Sequence, residues 1–555
     1  MKGKYALSVG ITSMLLLGLV MATTSAFAQA VPQGPWLDEI IFFEESDVSK
    51  ALDMLKGGEI QVLGSGISDP TQVAEIMQSP DLKYVFTYGV LRVLEINPVG
   101  PIFPGTGKLN PFAVPRIREA LNYVLDRKYM VDEIYHSLAL PAYHIIHPMG
   151  PDYIRLIDAI KEIETEYQYN FEKGKSIITE EMQKLGAELK DGKWYYNGEP
   201  VTVRVLITEG AGVNEEAAKY VADQIEKLGF TVDRYIKSGQ ELAVIWYWED
   251  PANGKWNIMY GGWGYGVVRD QSADFAGFYT PAGNPAPPWQ AHKPDPELES
   301  VAMALMYRQY SSLEERNELM AKALKLAVKD SWILPVIWQK YANVYRKEVE
   351  IPADFFGGFW SCQLYPYTIR YTGQTGGRVK IAVSGFLWAP WNPIGGSWNV
   401  NDGFCYECTF DPATLIHPYN GLPMPQRIEK AEVYVQRGLP VTKTLDWLTL
   451  TFVDKIEVPT DAWYDWNATT KEIITVPPGT TAKAKIVVHF KDDFLQTKWH
   501  DGSTMSVADF IFRFILNFDR ADPASPVFDE SAVPSLEAFK STFKGFRIIS
   551  QDPFI

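Results

Sequence analysis

The chain is poor in histidine and in cationic residues, and each scarcity excludes a class of function. None of its seven histidines pairs with another at metal-ligand spacing on a helix. With 52 Lys and Arg against 68 Asp and Glu, the formal net charge is −16, which makes nucleic acid a poor partner. Beyond the N-terminus no run of about 18 uninterrupted apolar residues occurs, so no other segment is expected to span a membrane.

Signatures of common catalytic sites are also missing. The sequence contains no G-x-S-x-G, H-E-x-x-H, G-x-x-x-x-G-K-[ST] or helix-opening G-x-G-x-x-G. Acidic residues are abundant, but sequence alone cannot supply the carboxyl separation that defines a glycosidase pair. The sequence therefore favours a binding protein over an enzyme, with no cofactor and no metal.

The N-terminus is typical of a secretory signal. Lys2 and Lys4 precede a mostly apolar stretch, and Ala26-Phe27-Ala28 places small residues where a signal peptidase cleaves. We predict a signal peptide over residues 1–28 and a secreted protein, extracellular or periplasmic and associated with the cell surface. A transmembrane anchor is the alternative, and the short, interrupted apolar stretch argues against it.

Three cysteines leave several chemistries open. Cys405 and Cys408 form a C-x-x-C, but a structural zinc site needs two further ligands, and no second C-x-x-C or H-x-x-x-H exists. The third cysteine is Cys362. In an exported chain we expect a disulfide between two of the three, and the sequence does not indicate which two. A redox role is a further alternative.

The pattern of apolar residues predicts an α/β protein of two lobes with an additional strand-rich portion. Removing 28 of 555 residues leaves 527, which is too many for one core. Periodicity and capping residues predict strands over 38–43, 59–63, 90–96, 201–207, 230–235 and 333–338, and helices over 49–56, from 115, over 214–228, over 312–329 and from 506. We place a lobe region at 29–372, a linker at 373–377 and a second, strand-rich lobe segment at 378–555.

Several sequence blocks resemble the family 5 extracellular solute-binding proteins, which are the oligopeptide, dipeptide and nickel receptors of ABC importers. Residues 110–127, NPFAVPRIREALNYVLDR, are similar to the family's N-P-F-x-x-x-R-[VI]-R-x-A-[LI] segment. The other similar blocks are LDEI at 37–40, ALDMLKGGEI at 51–60, LGFTV at 228–232, Gly262-Trp263 with Phe278-Tyr279, GGRVKIA at 376–382, WHDGS at 499–503 and ADFIF at 508–512. Each block is weak alone, and together they are quite specific.

Two departures from the family pattern concern the order and the end of the chain. The GGRVKIA and HDG blocks usually come first, whereas here they follow the others, an order that resembles the long archaeal members. The sequence ends at Ile555, where the family normally has more of this lobe. We expect a truncated chain with one incomplete lobe; a genuine permutation is the alternative.

The resemblance implies the two-lobed type II periplasmic-binding-protein fold and an ABC-importer receptor that captures oligopeptides by hinge closure. Implied partners are a permease and ATPase subunits. Large aromatics cluster in Gly/Pro-rich stretches, which are often binding loops, and the family's acidic amine anchor matches Asp270 best, with Asp274 close by. The predicted ligand-binding residues are Trp248, Trp263, Tyr265, Asp270, Trp289, Trp388, Trp391 and Trp398.

Other hypotheses about the ligand and about the functional class of the protein stay open. An oligosaccharide ligand fits the tryptophans, because aromatic faces stack on sugar rings. A secreted carbohydrate-active enzyme and a structural surface-layer protein are the competing classes. His500-Asp501-Gly502 is interpreted as a turn, and the charged residues around the helix from Pro115 are interpreted as holding the fold: Arg116, Arg118, Asp126 and Arg127.

Overall fold

The computed structural model describes residues 34–267, 270–386, 400–439, 441–443 and 445–550. The predicted signal peptide, residues 1–28, lies outside these residues, as do Trp388, Trp391 and Trp398. Within the described part, no helix combines the length and the apolar character that crossing a bilayer requires.

One nine-stranded mixed sheet organises the chain between Glu39 and Val383. Its strands are β1 Glu39–Glu44, β2 Val62–Leu63, β3 Leu82–Ile96, β4 Ala139–Pro141, β5 Thr202–Thr208, β6 Thr231–Lys237, β7 Ile258–Gly264, β8 Ile333–Arg346 and β9 Arg378–Val383. They lie side by side in the order β1-β9-β2-β8-β3-β7-β5-β6, and β4 pairs with β8. The pairing is antiparallel around β3 and parallel at both edges.

Two long antiparallel strands, β3 and β8, run through both halves of this sheet. Residues 82–87 pair with 341–346 beside β2, and residues 90–95 pair with 333–339 beside β7. We call the half with β1, β9 and β2 lobe A, and the half with β4, β5, β6 and β7 lobe B. The predicted two-lobed α/β arrangement is therefore confirmed.

Helices cover the sheet. Those that we number are α1 Val48–Gly57, α2 Pro70–Gln78, α3 Pro115–Val124, α4 Ile157–Glu166, α5 Phe171–Lys184, α6 Val213–Lys227, α7 Asp274–Tyr279, α8 Pro296–Met306 and α9 Leu313–Asp330. Other helical segments include Arg127–Tyr129, Met130–Ile134, Pro151–Arg155, Gly239–Ala243, Val244–Trp248, Pro287–Ala291, Tyr365–Thr368 and Val400–Tyr406.

Local sequence explains several helix ends. Asp47 caps α1 by accepting a hydrogen bond from the Lys50 N–H, and Gly58 ends it at φ 78°, a left-handed conformation that glycine adopts without strain. Pro115 occupies the first turn of α3, where a missing N–H costs nothing. The side chain of Ser312 accepts from the Glu315 N–H at the start of α9. The S-x-x-E pattern of Ser312 and Glu315 is typical of a capping box, but Glu315 accepts from the N–H of Ser311 and not of Ser312, so only half of the box forms.

Lobe B has a buried core on each face of its sheet. Leu94, Ile96, α3, α5 and α6 share one core, which we call the α6 face. Leu91 and Val93 lie in the other, with Trp289, Trp332 and Trp338, which we call the tryptophan face. Alternate residues of β3 thus point into opposite cores, as strand geometry requires.

Lobe A is built from both ends of the described chain. Strand β9, which follows the proposed linker 373–377, lies between β1 and β2 and buries Val379, Ile381 and Val383. The division of the chain into segments before and after this linker stays a prediction, and lobe A contains strands from both.

Residues 414–490 are rich in strands, as predicted. A three-stranded sheet consists of β10 Ile428–Gln436, β11 Leu448–Val453 and β12 Ala484–Phe490, with β10 in the middle. Shorter paired strands are Thr414–Ile416 with Pro423–Pro425, Ile456–Glu457 with Thr481–Ala482, and Trp463–Asn467 with Glu472–Thr475. The helices α10 Val507–Asp519 and α11 Val533–Thr542 follow, and Ser506 with Asp509 forms a capping box at α10. Elsewhere, three short antiparallel strands lie within residues 188–200, and Val349–Glu350 pairs with Arg370–Tyr371.

Candidate functional site

The candidate site lies where β3 and β8 pass from lobe A to lobe B. The register of the two strands shifts between Pro335 and Ile337 and again between Gln339 and Tyr341. Such irregularities bend and twist a strand pair locally. We call residues 88–92 of β3 and 337–341 of β8 the crossing.

On the α6 face of the crossing, polar side chains from both strands bond one another. Arg92 Nε donates to Gln339 Oε1 at 2.7 Å, and Arg92 Nη2 donates to the Tyr341 hydroxyl at 2.6 Å. The Tyr341 hydroxyl donates to Gln339 Oε1 at 2.7 Å, and Gln339 Nε2 donates to Ser68 Oγ at 2.9 Å. The guanidinium is therefore held by neutral groups.

Two buried tyrosines extend this polar row into lobe B. The hydroxyls of Tyr135 and Tyr260 lie 2.7 Å apart, and that of Tyr135 donates to Asn214 Oδ1 at 3.0 Å. Burial raises the pKa of both phenols, so they are neutral at physiological pH.

Strand β7 makes room for the side chain of Arg92 by having glycine at position 262. Gly262 is paired with Arg92, and a Cβ atom on Gly262 would lie 2.8 Å from Arg92 Nη1. Gly264 lies on the same face, and its nearest side chains are Trp360 and Val400, which belong to the segments covering lobe A. Both glycines are exposed, and the Arg92 side chain occupies the place that a side chain on residue 262 would need.

Three predicted ligand-binding residues lie on the opposite, tryptophan face. Trp263 contacts Trp289 edge-to-face with ring centroids 5.6 Å apart, and Tyr265 packs against Trp338 at 5.0 Å. Trp289 is 1% exposed and Tyr265 is 6% exposed, so neither presents a surface to a ligand in this conformation. Trp263 is half-buried. Their contact with a ligand stays a prediction.

A carboxyl group that sequence reasoning missed lies beneath Trp263. Glu95 is 2% exposed, and its Oε1 accepts from Trp263 Nε1 at 2.8 Å, while Oε2 has no hydrogen-bond partner. Burial raises the pKa of Glu95 to about 8, which the bond from Trp263 only partly offsets. The group is therefore mostly protonated at neutral pH, and Gly261 leaves room for it.

Asp270, the predicted amine anchor, already has a cationic partner. Arg316 Nη2 lies 2.6 Å from Asp270 Oδ1 and 2.7 Å from Asp152 Oδ2, which is buried. Burial would raise the pKa of Asp270, but the bonds from Arg316 and Ser272 lower it to about 2. The pair ties the loop after β7 to α9, and a role for Asp270 in holding a ligand amine stays a prediction. Burial raises the pKa of the neighbouring Asp274 to about 6.

Trp248 is the most accessible of the predicted aromatic residues that the structure describes. It is 49% exposed at the end of the helical segment Val244–Trp248, and its ring meets Tyr247 edge-to-face at 4.9 Å. The sequence pattern of large aromatics in Gly/Pro-rich stretches thus includes both core tryptophans and an exposed one.

The charged residues around α3 hold the fold, as predicted. Arg118 donates to the carbonyls of Phe112, Ala113 and Asp330. Arg127 likewise donates to backbone carbonyls, Arg116 pairs with Glu119 at 2.7 Å, and Asp126 caps the next helix. His500-Asp501-Gly502 forms the predicted turn, with Gly502 at φ 86°.

The expected disulfide is wrong for this structure, because all three thiols are free. Cys362 is buried in lobe A at 1% exposure. Cys408 Sγ lies 3.1 Å from the Tyr365 hydroxyl, and burial raises the pKa of Cys408 to about 11.

A cavity of about 300 Å³ lies away from the crossing. Asp38, Glu39, Tyr367, Glu407, Phe410 and His500 are among the residues that line it. None of the five predicted ligand-binding residues that the structure describes lies in its wall. Burial raises the pKa of Glu407 to about 7. We regard the crossing as the candidate site because it joins the two lobes, whereas this cavity lies beside the outer strand β1.

Comparison with known proteins places the chain in a family. The model of the bacterial extracellular solute-binding proteins, family 5 Middle, matches residues 27–333. The chain belongs to this family. Its membership agrees with the two-lobed α/β sheet and confirms the predicted type II periplasmic-binding-protein fold. No curated protein sequence matches the chain.

Solved structures of family 5 proteins are similar over part of their length. The oligopeptide-binding protein AppA from Bacillus subtilis, in complex with a nonapeptide, shares 19% identity over 55% of each chain, with a TM-score of 0.45. NikZ from Campylobacter jejuni, in complex with Ni(L-His), shares 16% identity over 55% of this chain and 56% of its own, with a TM-score of 0.43. A mannohexaose-bound periplasmic oligopeptide-binding protein from Thermotoga maritima shares 18% over 55% of each chain, with a TM-score of 0.44. This chain thus spans just over half the length of these structures.

Proposed function

We propose that this chain is the extracellular substrate-binding receptor of an ABC importer, which captures an oligopeptide by hinge closure and delivers it to a membrane permease. The observation that carries the proposal is the pair of long strands, β3 and β8, that joins lobe A to lobe B through a register-shifted crossing. A few irregular positions between two packed lobes are what a hinge needs.

Hinge closure requires a ligand that binds the closed state better than the open one. The crossing offers a fixed guanidinium, tyrosine hydroxyls and the exposed backbone of Gly262 and Gly264 on one face of the sheet. A peptide lying there would exchange hydrogen bonds with water for bonds to these groups, and closing lobe A over it would exclude the remaining water.

Oligopeptides are the first ligand class, and oligosaccharides are the second candidate. The exposed ring of Trp248 favours the second, since an aromatic face left in water can stack on a sugar ring. The first is supported by the charged and hydrogen-bonding groups at the crossing, which suit a zwitterionic, amide-rich chain.

The proposed location and partners follow from the receptor role. The signal peptide over residues 1–28 would direct the chain out of the cell, where two permease and two ATPase subunits in the membrane would complete the importer. The receptor itself would carry out no catalysis.

Thermal unfolding of residues 29–555 tests the proposal against a panel of short peptides and β-linked oligosaccharides. We expect one class to raise the transition temperature without release of any product, because a ligand that binds only the folded state stabilises it. A protein that no panel member stabilises would contradict the receptor role for these ligands. Product formation from an oligosaccharide would instead support a secreted carbohydrate-active enzyme.

A further inference from the structure

Arg92 is a cation without an anionic partner among the described residues. Its hydrogen bonds go to the side chains of Gln339 and Tyr341, and no carboxylate lies within ion-pair distance. The nearest acid on the same strand, Glu95, points to the other face of the sheet and is mostly protonated at neutral pH. A half-buried charge that the protein leaves uncompensated is costly unless something else neutralises it.

The guanidinium is oriented so that one donor edge stays free. Nε and Nη2 form its side edge, and these are the atoms that bond Gln339 and Tyr341. Nη1 and the second N–H of Nη2 form the end edge, which has no partner in the described part of the chain. Two parallel N–H groups at this spacing match the two oxygens of a carboxylate.

The free edge lies beside exposed backbone. Arg92 is partly exposed and Gly262 is exposed, and Nη1 packs over Gly262 so closely that a Cβ atom on residue 262 would lie 2.8 Å from it. Gln339, Tyr341 and Ser68 form a bonded row behind the guanidinium and hold it in place. The donor pair is therefore preorganised at the crossing, where the two lobes meet.

We propose that the end edge of Arg92 binds a carboxylate of the ligand, so that the receptor selects ligands that carry a free carboxylate. This inference rests on the proposed function and specifies its substrate class, because an oligopeptide with a free C-terminus qualifies and a neutral oligosaccharide does not.

The test compares a pool of short peptides with free C-termini and the same pool with amidated C-termini. Calorimetric titration is expected to show that the wild-type protein binds the free acids about 10- to 100-fold more tightly than the amides, the effect of a paired charged hydrogen bond. Arg92→Gln is expected to remove this preference. Arg204→Gln is the matched control, since Arg204 lies on β5 of the same sheet and already pairs with Asp233 at 2.7 Å.

A second variant keeps the charge of Arg92 and adds a methyl group beside its guanidinium. In Gly262→Ala the new methyl group would displace Nη1, so we expect the preference for free acids to fall while the free energy of unfolding changes little. Equal binding of acids and amides to the wild-type protein, or an unchanged preference in Arg92→Gln, would overturn the inference.

Acetate, the simplest carboxylate, tests the Arg92 site without requiring that any of the chosen peptides binds. Sodium acetate is compared with sodium chloride at equal ionic strength, in thermal unfolding of the wild-type protein and of Arg92→Gln. Stabilisation by acetate in the wild-type protein alone supports the carboxylate site even if no peptide binds. If acetate acts equally on both proteins, the site is rejected, even where a peptide or sugar shows that the receptor role is right.

Discussion

Two side chains three residues apart on β3, Arg92 and Glu95, lie on opposite faces of one sheet and have opposite surroundings. Glu95 is enclosed beneath Trp263 and is mostly uncharged at neutral pH, whereas Arg92 keeps its charge and is partly exposed beside Gly262. The comparison shows that the face of the sheet with the most aromatic side chains is not the face that a ligand can reach. The tryptophans on the Glu95 side mainly close a core, and the accessible polar groups lie on the other side.

The largest expected effect is the loss of a tryptophan that closes the Glu95 side. Trp289→Ala should lower the free energy of unfolding by about 3–5 kcal/mol, because the ring is fully buried and its removal leaves a cavity. Trp248→Ala is the control and should cost about 0.5 kcal/mol, since half of that ring is in water. Chemical denaturation measures both. Equal losses in the free energy of unfolding would contradict the assignment of Trp289 to the core and of Trp248 to the surface.

The ion pair that fixes the loop after β7 gives the next effect. Arg316→Gln leaves the buried Asp152 without its main cation, so we expect a loss of about 3–5 kcal/mol in the free energy of unfolding. Arg155→Gln, which removes the more exposed partner of the same carboxylate, should cost about 1 kcal/mol or less. Comparable losses in the two variants would contradict the buried role assigned to Arg316.

The pH dependence of stability tests the state of Glu95. Its pKa is raised in the folded protein, so between about pH 5 and 8 the folded state holds a proton that the unfolded state has lost, and stability falls as the pH rises. Glu95→Gln cannot titrate. Its free energy of unfolding relative to the wild-type protein should therefore rise by about 1 kcal/mol per pH unit in this window. A difference that is constant with pH would mean that Glu95 ionises normally.

The smallest expected change in stability concerns Arg92. In Arg92→Gln the bond between Tyr341 and Gln339 and the bond from Gln339 to Ser68 remain, so the free energy of unfolding should change by about 1 kcal/mol or less. Arg118→Gln is the contrast, because Arg118 is 2% exposed, bonds three carbonyls and pairs with Asp330. We expect a loss of about 3 kcal/mol there. A large loss in Arg92→Gln would indicate a structural role for that residue.

Features with a local physical cause could be predicted from the sequence. Pro115 and Gly58 mark helix ends because each has a backbone preference that acts within one turn. Strand β3 was predicted to begin at Val90, whereas it begins at Leu82. Its first half carries no clear alternation of apolar and polar residues, and its pairing with β8 supplies the order that the local pattern lacks.

The site depends on contacts that local patterns cannot indicate. Arg92 and Gln339 are 247 residues apart in the chain, and only the pairing of β3 with β8 brings them together. Nothing in the sequence around Glu95 distinguishes a buried carboxyl from a solvated one. The tryptophans could be identified as a group, but which of them fills a core was decided by the sheet face on which each falls.

Ligand-dependent hydrogen exchange tests the central claim most directly, that the ligand binds at the crossing on the Arg92 side. The peptide that stabilises the protein most in the panel is added, and protection of backbone amides is followed by mass spectrometry. We predict added protection in residues 88–93, 262–267 and 339–341, with little change in residues 278–289 of the tryptophan face. Protection confined to residues 35–40 and 407–411, which line the separate cavity, would contradict the account.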